Sequence, residues 1–126
     1  MTLIGFTVFK DKILNGDKRQ TIRKLRKHPI KVGDKLYLYW HLRQKDCEKL
    51  LETVCTEVFI IQISSEYWIG RQRIRIIKLV DGVWNPMSYK EQNEIATEDG
   101  FHNDVEMLSW FVAKYPLPET FQVIRW

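Results

Sequence analysis

Lys18 and Thr21 stand three residues apart in the segment GDKRQTIR, residues 16 to 23, with Arg19 and Arg23 beside them. A threonine hydroxyl attacks an amide carbonyl only when a base removes its proton. A lysine amine serves as that base when desolvation or nearby cations lower its pKa. Arg19 and Arg23 are such neighbours. A carboxylate such as Asp99 would then orient the amine or shuttle a proton, giving a nucleophile, a base and an orienter. The plainer reading of the same residues is a solvated basic loop, in which Thr21 is a turn residue or strand starter and Arg23 holds phosphate.

The charge pattern around this segment is uneven. Residues 9 to 35 carry ten Lys/Arg against three acids, whereas residues 91 to 106 carry six acids and no base, within a net charge of +4. The two blocks either face each other across a site, or the basic one meets an anionic ligand while the acidic one meets water. Tyr37, Tyr39 and His41 alternate along a candidate strand that leads to Arg43 and Lys45. Such an arrangement stacks bases and pairs phosphates, or else forms a second apolar layer under a helix. Arg71, Arg73 and Arg75 repeat at strand spacing, as a phosphate track or an exposed strand face.

Other chemistries find less support. His28, His41 and His102 are scattered, with no pair at metal-ligand spacing, and Cys47 and Cys55 are eight apart, too wide for a zinc half-site. No metal or cofactor is expected, and both thiols are expected to be buried. No apolar run approaches the roughly 20 residues that cross a bilayer, and the start MTLIGFTVFKDK lacks the apolar stretch of a signal peptide, so a soluble cytoplasmic protein is expected.

The elements that must position these residues follow from periodicity. A chain of 126 residues, 44% hydrophobic and 29% charged, fits a single domain over residues 1–126. Phe6, Phe9, Ile13 and Leu14 recur at helical spacing, and Gly16 stands where a left-handed cap ends a helix. Thus GDKRQTIR occupies a helix exit and the bridge beyond it. The turn at Val32 to Lys35 leads into the strand LYLYWHL; a helix or loop with Cys47, Leu50 and Leu51 crosses to the strand TVCTEVFIIQI from residue 53. RQRIRIIKLV, residues 71 to 80, is a strand ending in an Asp81-Gly82 hairpin. Ser88 with Glu91, and Asn103 with Glu106, start two helices. Pro116 stops the second, whose Trp110, Phe111 and Tyr115 read as core, and FQVIRW closes the chain as a strand. Trp68 and Trp84 lie beside turn-like residues, so either is a candidate for exposure near a cleft. The fold class is α+β, a small mixed β-barrel with flanking short helices.

Gly16, Lys18, Thr21 and Arg23 fit the G-x-K-x-x-T/E-x-R signature of ASCH domains, and the chain resembles that family of the PUA-like superfamily along nearly its whole length. The Gly33-Asp34 turn into an aromatic strand, the Arg43-x-Lys45-x-Cys47 run, Ile95-Ala96 before Asp99-Gly100-Phe101, and Trp110-Phe111 before Tyr115-Pro116 agree in order and spacing. The resemblance implies a PUA-like barrel and a cleft for RNA or a modified nucleoside. Gly16, Arg19, Arg23, Tyr39, Arg43 and Lys45 would contact the ligand. It also implies, as an alternative, an amidohydrolase that removes the acetyl group of N4-acetylcytidine through Thr21, Lys18 and a carboxylate. The glutamate of those relatives maps onto Asp99, one methylene shorter, with Glu98 adjacent. A ribonuclease ranks lower, for want of a placed histidine pair.

Overall fold

Leu36 and Leu38 are fully buried while Tyr37 and Tyr39 between them are only half-buried, the alternation expected of a strand with one face on a core. This strand, β3 (Lys35–Trp40), is flanked in a three-stranded sheet by β1 (Thr2–Phe6), which runs parallel to it, and β4 (Glu48–Val54), which runs antiparallel. The second sheet is antiparallel throughout and has the order β2-β8-β5-β6-β7, built from β2 (Gln20–Lys24), β8 (Glu119–Arg125), β5 (Glu57–Trp68), β6 (Arg71–Val80) and β7 (Val83–Pro86). The computed structural model describes residues 2–126, except for the side chain of Trp68. Among the described residues neither sheet closes on itself, so the architecture is α+β with two open sheets, not a closed barrel.

Three short helices accompany the sheets among the described residues: α1 (Lys10–Leu14), α2 (Tyr89–Glu98) and α3 (Asp104–Lys114). None is long and apolar enough to cross a membrane. The start of α2 is a capping box in which Ser88 Oγ accepts from the Glu91 amide at 3.2 Å and the Glu91 carboxylate accepts from the Ser88 amide. At α3, Asn103 Oδ1 accepts from the Glu106 amide at 2.9 Å, but the Glu106 carboxylate turns to the amide of His102, so the second half of the box is not made.

Two cores lie on opposite faces of β8. Phe121 and Val123 join Ile61, Ile63 and Ile76 beneath α2 and α3, whereas Ile124 turns the other way, toward Ile4, Leu36 and Leu38. Gln122, on that second face, is buried and bonded to both the amide and the carbonyl of Ile30. Burying polar atoms there costs little because both are satisfied.

Several expectations are corrected. Phe6 ends a strand and does not begin a helix; α1 is confined to Lys10–Leu14, and Gly16 follows it at φ +84°. The segment with Leu50 and Leu51 is the edge strand β4, and Cys47, just before it, is exposed where a buried thiol was expected; Cys55 is buried. The run expected to begin at residue 53 is broken at Cys55 and Thr56, where the chain leaves one sheet for the other. The predicted strand LYLYWHL stops at Trp40, because His41 adopts a left-handed φ of 48°. In contrast, β6 covers the anticipated residues, with Ile74 and Ile76 buried behind Arg71 and Arg75. The turn after it is left-handed at both Asp81 and Gly82.

Candidate functional site

The C-terminal end of α2 exposes carbonyls that its own backbone cannot satisfy, and two lysines from the region of α1 reach them. Lys12 Nζ donates to the Gly100 carbonyl and Lys18 Nζ to the Asp99 carbonyl, each at 2.5 Å. Gly100 takes φ +109°, and a Cβ there would meet the Phe9 ring at 3.0 Å, so only glycine permits this close approach. Phe9 is itself left-handed at φ 64°, which brings its ring edge-on to Phe101 and within 5.5 Å of Lys18 Nζ.

Asp99 caps α2 and turns its side chain inward, 6% exposed, against Lys18, which is 2% exposed. Lys18 Nζ lies 3.4 Å from Asp99 Oδ1, and Gln20 Nε2 donates to the same oxygen at 3.2 Å and to the Ile95 carbonyl at 3.1 Å. The Gln20 amide is fixed from its other end, where Oε1 accepts from Arg125 Nε at 3.0 Å. Burial pushes the Lys18 ammonium down, and Arg23 and Lys12 add to this while Asp99 opposes it. Burial pushes the Asp99 carboxyl up, against the pull of Lys18, Gln20 and Arg23. Each of the pair is thus shifted toward its neutral form, as desolvation demands.

Thr21 and Arg23 share one face of β2 because they are two residues apart. Thr21 is 3% exposed, and its Oγ1 accepts from Arg23 Nε at 3.0 Å. Arg23 Nη2 donates to the Gly5 carbonyl at 2.7 Å, and the guanidinium lies over the Phe6 ring with 4.7 Å to its centroid. Burial lowers the Arg23 pKa, and Asp99 acts to raise it.

Lys18, Thr21, Arg23 and Asp99 all line one cavity of about 250 Å³. Its walls are aromatic, from Phe9, Phe101, Trp110 and Tyr115, and its mouth carries Leu42, Gln44 and Lys114. The basic and acidic blocks of the sequence therefore meet here, at Lys18 and Asp99.

The remaining candidates lie elsewhere. Gly16 and Arg19 line a separate depression with Glu57, Glu98 and Arg125, and Glu98 is held there by Arg125 Nη2 at 2.7 Å. Tyr39 is half-buried on β3, and Arg43 and Lys45 are exposed, none of them lining the cavity. The loop after β3 is left-handed at His41 and Arg43, and it is Leu42 and Gln44 that reach the mouth. Phe111 is core as expected, but Trp110 and Tyr115 are half-buried and face the cavity. Trp84 is exposed on β7 away from the cavity, and the side chain of Trp68 lies outside the described residues. Arg73 and Arg75 are tied to Tyr89 and Glu66 on the sheet surface. Among the described residues no three His, Cys, Asp or Glu side chains gather as a metal site.

Sequence reasoning missed Gln20, Lys114 and the Gly5 carbonyl. Gln20 lies inside the marked segment, and its position two residues from Lys18 was the available signal. A backbone carbonyl has no sequence signal at all. Compared with protein-family models, with curated proteins and with solved structures, the chain matches none.

Proposed function

We propose that the cavity binds a modified pyrimidine nucleoside, free or as a residue of RNA, and that the chain is an ASCH domain whose two sheets form a PUA-like barrel in opened form. One observation carries this reading: four side chains of the G-x-K-x-x-T-x-R segment and its acidic counterpart converge on one aromatic cavity. Its volume of about 250 Å³ is near the lower bound of ordinary ligand pockets, a size for a base with its sugar and not for a folded strand. Phe9, Phe101 and Trp110 offer faces on which a base stacks, and Gln44 offers a donor for its edge. The exposed free thiol of Cys47 is at home in the reducing cytoplasm, where we place the protein.

Hydrolysis of an N4-acetyl group is the second reading, favoured by the company Thr21 keeps. Lys18, shifted toward its neutral amine by burial, takes the Thr21 proton. Oγ1 adds to the acetyl carbon as the carbonyl π pair moves to oxygen. The tetrahedral species then expels the N4 nitrogen, which leaves as an amine by taking from Lys18 the proton that came from Thr21. Lys18, neutral again, deprotonates water, whose oxygen adds to the acyl carbon; the bond to Oγ1 then breaks, Thr21 takes the proton from Lys18, and acetate leaves. Arg23 Nε, already donating to Oγ1, stabilises the charge that develops there. Asp99 holds the ammonium form of Lys18 while it exists.

Isothermal titration with cytidine and N4-acetylcytidine at low salt tests binding, and chromatography of the same mixtures tests turnover. Binding is expected for both ligands; its absence for both would overturn the nucleoside reading. Acetate release should fall by about 10²-fold or more in Lys18→Ala and in Thr21→Ala. Unchanged release in both variants would overturn the hydrolytic one.

A further inference from the structure

The mouth of the cavity holds more positive charge than the chain neutralises. Arg23 engages Thr21 and Gly5 through Nε and Nη2, and among the described residues its Nη1 has no acceptor. Lys114, at the end of α3, lines the same cavity; its ammonium sits 4.5 Å from the Trp110 ring centroid and, among the described residues, has no carboxylate partner. Partial burial and the charge of Arg23 together lower its pKa. Arg26, just past the end of β2, is exposed and forms no ion pair among the described residues, yet it is near enough for its charge to act on Arg23. Glu119, on the neighbouring strand, is taken up by Lys24 at 3.4 Å. Arg23 and Lys114 thus line the cavity while Arg26, outside its lining, adds its charge to Arg23; the carboxylate acting on Arg23 is Asp99, already committed to Lys18 and Gln20. Like charges brought together without an anion repel one another, and a phosphate with several acceptor oxygens relieves that repulsion by charge-assisted hydrogen bonds.

We infer that Arg23, Arg26 and Lys114 form a phosphate subsite at the mouth of the cavity, so that its ligand is a nucleotide and not a bare nucleoside. This rests on the nucleoside reading above and extends it. The base occupies the aromatic interior, and the sugar lies toward the mouth. The phosphate it carries, a terminal monoester or the diester of an RNA residue, meets the three cations.

Isothermal titration of the intact protein with cytidine, cytidine 5′-monophosphate, a short cytidine-containing oligoribonucleotide and inorganic phosphate tests the subsite. The monophosphate is expected to bind about tenfold or more tightly than cytidine at low salt, and this preference should shrink as salt rises. The ratio of the two affinities should fall toward one in Lys114→Gln and in Arg26→Gln. Equal affinity of cytidine and its monophosphate in the wild type, or an undiminished ratio in both variants, overturns the subsite and leaves the nucleoside reading standing. Binding of inorganic phosphate that is weakened in both variants, with no binding of cytidine, supports the subsite and overturns the nucleoside reading. A monophosphate that binds more tightly than the oligoribonucleotide assigns the phosphate to a free nucleotide; the reverse order assigns it to RNA.

Discussion

Two clusters of opposite charge lie back to back across Gln20, one facing the cavity and the other facing water. In the first, Lys18 and Asp99 are almost wholly buried, at 2% and 6% exposure. In the second, Arg125 bridges Glu57 and Glu98, each at 2.7 Å, on side chains that keep contact with solvent. The residue types are nearly the same, and Glu98 and Asp99 are adjacent in the chain. Desolvation makes the difference. The inner pair is displaced toward neutrality, which suits proton transfer, whereas the outer cluster lies in contact with solvent and anchors the amide of Gln20 that orients Asp99.

Removing the inner carboxylate should have the largest effect, because Lys18 would stay buried without its counter-ion. Asp99→Ala is expected to cost about 3–5 kcal/mol of stability, read from chemical denaturation. If the double change Lys18→Met/Asp99→Leu were as unstable as Asp99→Ala, burial of an unpaired charge would not be the cause. Breaking the link between the clusters comes next: Gln20→Leu should cost about 1–3 kcal/mol, since Asp99 and the Ile95 carbonyl each lose a donor. The same variant should move the Asp99 titration further up, followed by carboxyl carbon chemical shifts. An unmoved titration would remove Gln20 as the orienter.

The pH dependence sharpens the contrast. Burial holds Asp99 above its ordinary 3.8 in the folded protein. At that site the folded state therefore keeps its proton to higher pH than the unfolded chain does. The resulting stability is full below the unfolded value and is lost as pH rises through the folded one. Against Asp99→Asn, the wild type should lose stability from about pH 4 upward, with a slope of at most about 1.4 kcal/mol per pH unit. Denaturation midpoints across pH that run parallel in the two proteins would contradict it. The smallest effect belongs to the outer cluster: Glu98→Ala should change stability by about 0–1 kcal/mol, measured in the same way. A loss as large as that of Asp99→Ala would erase the distinction between the clusters.

Local signals in the sequence carried far where a single element decided the outcome. The strand at residues 71 to 80, the Asp81-Gly82 turn and the Ser88 to Glu91 box depend on neighbours a few residues apart, and each takes the expected form. β1 was not legible, since its five residues are too few to show alternation and its partner is the non-consecutive β3. β4 was obscured because it is an edge strand with only Leu50 buried, so its pattern is mostly polar. At the site, the spacing of Lys18, Thr21 and Arg23 singled out the segment. The turning of Arg19 away from the cavity did not follow from it, nor did the arrival of Leu42 and Gln44, which left-handed residues in the loop after β3 bring to the mouth.

The sequence by itself determined which ionisable groups exist and where α2 and α3 start, since these rest on residue type and short-range capping signals. Only the tertiary structure decided that Asp99 faces Lys18 while Glu98 faces Arg125. Adjacent side chains at a helix end diverge, and which one is dried depends on how α2 docks, through Ile95 and Ala96, on the five-stranded sheet. The same docking sets the pKa shifts, because a lysine and an aspartate far apart in sequence acquire shifted protonation only when packing removes water from both.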